Sequence, residues 1–190
     1  MNPLTNFPRL NLLPRLLSQL DQDQRHLVYV VDDDVLYNHS LEFAILGYQG
    51  NRKLDIKTYY TGEDCLNDLK STRPEIVILD YYLNSEVRNA QDGIRVLKQI
   101  KEQKPEVYVI MLSNQERLDI AVSCLKCGAY DYVLKNESAP VRLNLLINLI
   151  LYSQEMKKKM NNYLKWNLIL ASLFVLFLFG MIFMAWRYNQ

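Results

Sequence analysis

Glu75-Ile76-Val77-Ile78-Leu79-Asp80 is the stretch from which the fold is read. Four consecutive apolar residues end abruptly on a carboxylate. A run this short and this apolar predicts a strand over 76–79 buried on both faces, hence central in a parallel sheet. In such sheets ligands sit beyond the carboxyl ends of the strands. Register alone therefore places Asp80 at the working edge. Three other stretches are built alike. Leu27-Val28-Tyr29-Val30-Val31 runs into Asp32, Asp33 and Asp34; Val107-Tyr108-Val109-Ile110-Met111-Leu112 ends on Ser113; Tyr132-Val133-Leu134 ends on Lys135. One edge collects acids, a hydroxyl and an ammonium.

Outward from these strands the pattern alternates. A further strand is expected over 56–60, with helices over 35–48, 62–70, 93–103 and 115–127. The first helix ends near Gly47 and Gly50, and Pro105 stops the third. Gly128 is placed to take the left-handed position closing the fourth, and Pro140 opens a last helix over 141–152. That helix is apolar on more than one face, with Asn144 and Asn148 its clear polar stripe, so the surplus surface could pair two copies of the chain, meet the N-terminal extension, or both. Five βα units with short connections predict an α/β fold over 26–152. The expected form is a flavodoxin-like, doubly wound five-stranded parallel sheet with right-handed crossovers.

The flanks read differently. In residues 1–25, Leu10, Leu13, Leu17 and Leu20 recur at helical spacing, and Pro14 would cap or kink a helix there. The segment reads as a short helix on the domain, or as a partner-binding arm. Pro3, Pro8, Arg9, Pro14 and Arg15 leave no uninterrupted apolar core for a secretory signal. At the other end a basic stretch over 153–165, helix or linker, carries Lys157, Lys158, Lys159 and Lys165. An apolar run then extends from Trp166 to Trp186. As a helix it spans about 30 Å, the thickness of a bilayer core. Twelve Leu, Ile, Phe or Val side chains lie between Leu168 and Phe183. Together they favour insertion by about 4–7 kcal/mol. The run is expected to be a transmembrane helix over 166–186. Four lysines precede it and only Arg187 follows. That asymmetry orients a single-pass protein of the inner (cytoplasmic) membrane with the α/β domain in the cytoplasm and residues 187–190 outside.

Composition narrows the classes. A net charge of +1 over 190 residues gives no global field for nucleic acid, and none is expected as a partner. Hydrophobic residues make up 49%, the excess concentrated in the C-terminal run. Three cysteines, an odd number, suggest reduced thiols. Cys124 and Cys127 have a CxxC spacing inside the fourth helix; small buried helix residues are the plain reading, a redox switch the other. Neither His26 nor His39 has the spacing of a zinc site.

Carboxylates converging in one pocket repel each other and call for a cation. Oxygen ligands alone favour Mg2+. A carboxylate also attacks phosphorus to give an aspartyl phosphate, while a metal and a lysine neutralise charge on the transferring group. Taken singly, a strand-end acid often caps the next helix and a strand-end lysine is often merely solvated. Four strand ends carrying such groups together weigh against that.

Here the motifs meet a known family. Val31-Asp32-Asp33-Asp34, Ile78-Leu79-Asp80, Met111-Leu112-Ser113 and the stretch from Gly128 to Lys135, in this order, resemble the response-regulator receiver domain of two-component signalling over residues 26–152. The resemblance implies that Asp80 accepts a phosphoryl group from a sensor histidine kinase or phosphotransfer protein. It implies that Asp32, Asp33, Asp80 and the backbone carbonyl of Tyr82 bind Mg2+. Ser113 would be the hydroxyl switch residue, Lys135 the phosphate-binding ammonium and Tyr132 the rotating aromatic. Its chemistry would be confined to its own phosphorylation and dephosphorylation. The chain departs from the family pattern at Asn136, where proline usually forms a cis peptide, at Asn84, also usually proline, and in a longer loop over 84–92. The expected membrane anchor stands where the family usually has an output domain. Two rivals remain. One is a phosphorylation-independent adaptor that keeps the fold at the membrane. The other is a phosphatase of the haloacid-dehalogenase type, suggested by Asp32-x-Asp34. That chemistry needs a carboxylate pair after the lysine, and only Glu137 appears before Glu155.

Overall fold

A computed structural model describes residues 25–48, 53–83 and 93–189. The readings for residues 1–24, Gly50 and the loop over 84–92 lie outside the described residues. The chain divides into two compact units, Met1–Leu146 and Ile147–Gln190. In the first, strands β1 (Arg25–Val31), β2 (Lys53–Tyr59), β3 (Ile76–Asp80), β4 (Tyr108–Ser113) and β5 (Asp131–Leu134) alternate with helices α1 (Val35–Gly47), α2 (Gly62–Leu69), α3 (Gly93–Gln103) and α4 (Leu118–Lys126). A fifth helix, α5, is continuous from Ala139 to Tyr188. The five strands form one sheet in the order β2-β1-β3-β4-β5, parallel at every pairing.

All five residues of β3 are buried, as its apolar run requires of a central strand. Alternate side chains serve opposite faces. Tyr29, Val31, Val77, Leu79, Val109 and Met111 pack with Cys65, Leu69, Val96, Leu97 and Ile100 of α2 and α3 in one cluster. Val28, Val30, Ile76, Ile78, Ile110 and Leu112, of the other parity, are fully buried too.

Several boundaries differ from expectation. β1 begins at Arg25, and β2 at Lys53 rather than 56. β2 lies at the sheet edge, and Lys53, Asp55 and Lys57 are exposed along it, a polar alternation that hides the start of a strand. α4 begins at Leu118 rather than 115, because the Gln115 amide donates to Ser113 Oγ at 3.1 Å instead of entering the helix. Its other end is as expected. Gly128 has φ +97°; its amide reaches Leu125 O at 3.0 Å and the Ala129 amide reaches Cys124 O at 3.1 Å, a Schellman closure. All three cysteines are free, Cys65 and Cys124 buried and Cys127 half-buried.

Polar ties set the frame around the core. Asp68 on α2 accepts from the hydroxyls of Tyr29 and Tyr59, both at 2.5 Å, and from Lys57 Nζ at 3.1 Å. These bonds, the tyrosine hydroxyls foremost, hold its carboxyl down to about 2. On α1 the fully buried Asn38 donates through Nδ2 to Asp32 O at 2.8 Å and Tyr59 O at 3.1 Å. It joins α1 to the ends of two strands. Asn38→Ala is expected to cost about 1–3 kcal/mol, the penalty for stranding a buried polar group, measured as a lowered urea midpoint.

In the second unit, every described residue from Met156 onward is exposed. An 18-residue window of α5 has a mean hydropathy of 2.8, and none of it is buried. By length and composition α5 is a candidate membrane span.

Candidate functional site

The chain winds outward from β1 to β2 and then back past β1 to β3, so the crevice between β1 and β3 is where a doubly wound sheet binds its ligand. The register delivers two acids there. Val28 pairs with Ile76 and so on up to Val31 with Leu79; the next step along the ladder sets Asp32 beside Asp80. Asp32 is fully buried and Asp80 is 4% exposed. One carboxylate oxygen from each of Asp32, Asp33 and Asp80 lies within 4.8 Å of the others. The third consecutive acid does different work. Asp34 Oδ1 accepts from the Leu36 and Tyr37 amides, both at 3.0 Å, and caps α1.

Lys135, just past β5, is fixed by its own amide, which donates to Ser113 O at 2.8 Å. Its Nζ lies 2.6 Å from Asp32 Oδ2 and 3.0 Å from Asp80 Oδ2. The ammonium thus bridges two buried carboxylates. Gly93, the first residue of α3, closes in on the loop leaving β3. Its amide donates to Tyr81 O at 2.9 Å, and a Cβ there would collide with the Asp80 carbonyl and stand 2.8 Å from Tyr81 Cα.

The remaining expected residues gather around one that the sequence did not signal. Gln115 gives its amide to the buried Ser113 hydroxyl. Its backbone carbonyl accepts from the Tyr132 hydroxyl at 2.7 Å, and its Oε1 from the Tyr82 hydroxyl at 2.9 Å. The Tyr82 side chain is thus engaged at Gln115. Tyr37 also lacked a sequence signal. Its ring lies beneath the Lys135 ammonium, 4.9 Å from centroid to Nζ. The peptide bond between Lys135 and Asn136 is not cis.

Burial governs the electrostatics. It raises the Asp32 carboxyl to about 6, against the opposing bond to Lys135 and with the help of the Asp80 charge. Burial likewise raises Asp80, with Lys135 opposing. For Lys135 burial works downward, but the Asp32 and Asp80 carboxylates outweigh it and the ammonium is raised. Burial and the charges of Asp32 and Asp80 push the Tyr37 hydroxyl up to about 12. A pH dependence follows. Between 3.8, the ordinary carboxyl value, and about 6, the folded protein holds protons on Asp32 that the unfolded chain has released. Stability must therefore rise as pH falls through that window. In metal-free buffer the urea midpoint is expected to be higher at pH 5.5 than at pH 7, and Asp32→Asn should flatten the difference.

The donor set suits a hard divalent cation. Three carboxylates converge, those of Asp32 and Asp80 buried. Such an oxygen-only group fits Mg2+, which retains part of its water shell. Lys135 brings one ammonium to these three carboxylates.

A doubly wound parallel sheet with this acid pocket and lysine at its edge defines a class. Residues 28–148 match the response regulator receiver domain, and the chain belongs to that family. It is 33% identical over 138 residues to the DNA-binding transcriptional regulator NtrC of Escherichia coli (strain K12), an overlap covering 73% of this chain and 28% of that protein. The chain therefore spans little more than a quarter of that curated relative. Among solved structures it is similar to the receiver domain of NtrX from Brucella abortus, with 31% identity and a TM-score of 0.57, covering 66% of this chain and 98% of that one. It is similar also to the BeF3-activated receiver domain of DrrB from Thermotoga maritima, with 28% identity and a TM-score of 0.57, covering 68% and 99%.

Proposed function

We propose that this chain is a membrane-tethered receiver that accepts a phosphoryl group on Asp80 from a histidine kinase or phosphotransfer protein. The observation that carries the reading is Lys135 Nζ, 3.0 Å from Asp80 Oδ2 in a pocket shared with Asp32 and Asp33. An Asp80 oxygen attacks phosphorus, the P–N bond of the donor phosphohistidine breaks, and its imidazole takes up a proton. Lys135 holds a phosphoryl oxygen, and Ser113 offers its hydroxyl to another. Mg2+, held by Asp32, Asp33, Asp80 and the Tyr82 carbonyl, would supply charge neutralisation. Gln115 links Ser113 to Tyr132, so it is the route by which a change at the hydroxyl reaches the aromatic side chain.

The tether is α5 over 166–186, supported by its hydropathy and exposure. The lysines at 157, 158, 159 and 165 support an orientation with the domain on the cytoplasmic side of the inner membrane. The protein in detergent, incubated with phosphoramidate and Mg2+, is expected to take up one phosphate that hydroxylamine removes, as it does an acyl phosphate. Label persisting in Asp80→Asn would sink the assignment.

A further inference from the structure

We propose that Tyr37 is a positioning residue: the face of its ring forms the third wall of the Lys135 ammonium site and keeps that charge on Asp80. The inference rests on the phosphoacceptor reading above. Lys135 Nζ meets Asp32 at 2.6 Å and Asp80 at 3.0 Å, and it stands over the Tyr37 ring, 4.9 Å away at the centroid. The Lys135 side chain is only 7% exposed. A cation so enclosed gains from the negative face of an aromatic ring, and more so when it has lost water.

Hydrogen bonds fix the chain on both sides of Tyr37. The Tyr37 amide is one of two that Asp34 caps, and the next residue, Asn38, is bonded to Asp32 O and Tyr59 O. The first turn of α1 is thereby fixed to the strand end that carries Asp32. The Tyr37 hydroxyl is buried and accepts or donates no hydrogen bond among the described residues. Burying it unpaired costs stability, so its packing there is not explained by the hydroxyl's own bonding. The ring is the part in contact with the charge.

The test compares Tyr37→Phe, which keeps the ring, with Tyr37→Leu, which removes it, in the full chain labelled with 13C-lysine. Above a ring face the Lys135 ε-methylene protons resonate upfield of the other lysines; Lys135→Arg assigns the signal. The shift should survive in Tyr37→Phe and vanish in Tyr37→Leu. Phosphorylation by phosphoramidate should be near wild type in the first and about 2- to 30-fold slower in the second, the range a cation–π contact spans. A shift retained in Tyr37→Leu, or lost equally in Tyr37→Phe, overturns the proposal. If the wild type takes up no phosphate, the phosphoacceptor reading fails, and the resonance still decides the placement of Tyr37. Tyr37→Phe loses only an unpaired hydroxyl, so a folded variant is available even if Tyr37→Leu unfolds.

Discussion

Lys135→Ala is expected to destabilise the metal-free protein by about 3–5 kcal/mol, the cost of removing one partner from a buried ion pair. The lysine side chain is 7% exposed, and the carboxylates it bridges are 0% and 5% exposed. Without it, Asp32 and Asp80 face each other across a short gap with no neutralising cation between them. Two remedies are open to the variant, and both are measurable. Lowering the pH toward 5 lets the carboxyls take up protons, which their raised pKa values already favour, so the deficit shrinks. Adding Mg2+ supplies the missing charge; at about a hundredfold excess over its dissociation constant it restores about 2.7 kcal/mol. The wild type gains less from Mg2+, because there the metal and the ammonium compete for Asp32. Urea midpoints of variant and wild type, with and without Mg2+ at pH 5 and pH 7, measure each of these effects. Equal midpoints for variant and wild type in metal-free buffer at pH 7 would show that Lys135 does not hold the two acids together.

What the sequence revealed and what it hid have physical causes. Strands buried on both faces read as apolar runs, and the residue that ends the run must face the sheet edge. Asp32, Asp80, Ser113 and Lys135 were legible for that reason. Asp33 was legible with them, but its neighbour Asp34 turned to cap α1, a difference of direction that composition does not encode. Tyr37 and Asn38 were hidden because α1 is apolar on its outer face as well. Val35, Leu36, Phe43 and Leu46 are exposed while Leu41 and Ile45 are buried, so periodicity does not say which side points inward. Gln115 was hidden by propensity. Gln115, Glu116 and Arg117 are good helix formers, yet Gln115 serves Ser113, Tyr132 and Tyr82 from outside the helix. Tertiary bonds to two strand ends outweighed a few tenths of a kcal/mol of local preference.

Replacing both Leu173 and Leu176 by arginine is expected to move the protein from the alkaline-carbonate-resistant membrane pellet to the extractable fraction. The expectation follows from magnitudes. The twelve large apolar residues between Leu168 and Phe183 favour insertion by about 4–7 kcal/mol. Each arginine near the middle of the span costs about 2.5–3.5 kcal/mol and removes a leucine that contributed about 0.3–0.6. One substitution leaves about 0–4 kcal/mol in favour of insertion; two cost about 6–8 kcal/mol and cancel or reverse the balance. Both leucines are exposed in the structure, at 56% and 67%, so the substitutions break no buried contact among the described residues. The acid pocket lies in the other compact unit, and phosphoramidate labelling of Asp80 should continue in the released protein. That pairing separates address from chemistry: carbonate resistance unchanged in the double variant would mean that the helix does not cross the bilayer, while loss of labelling on release would mean that the receiver depends on the membrane for more than its location.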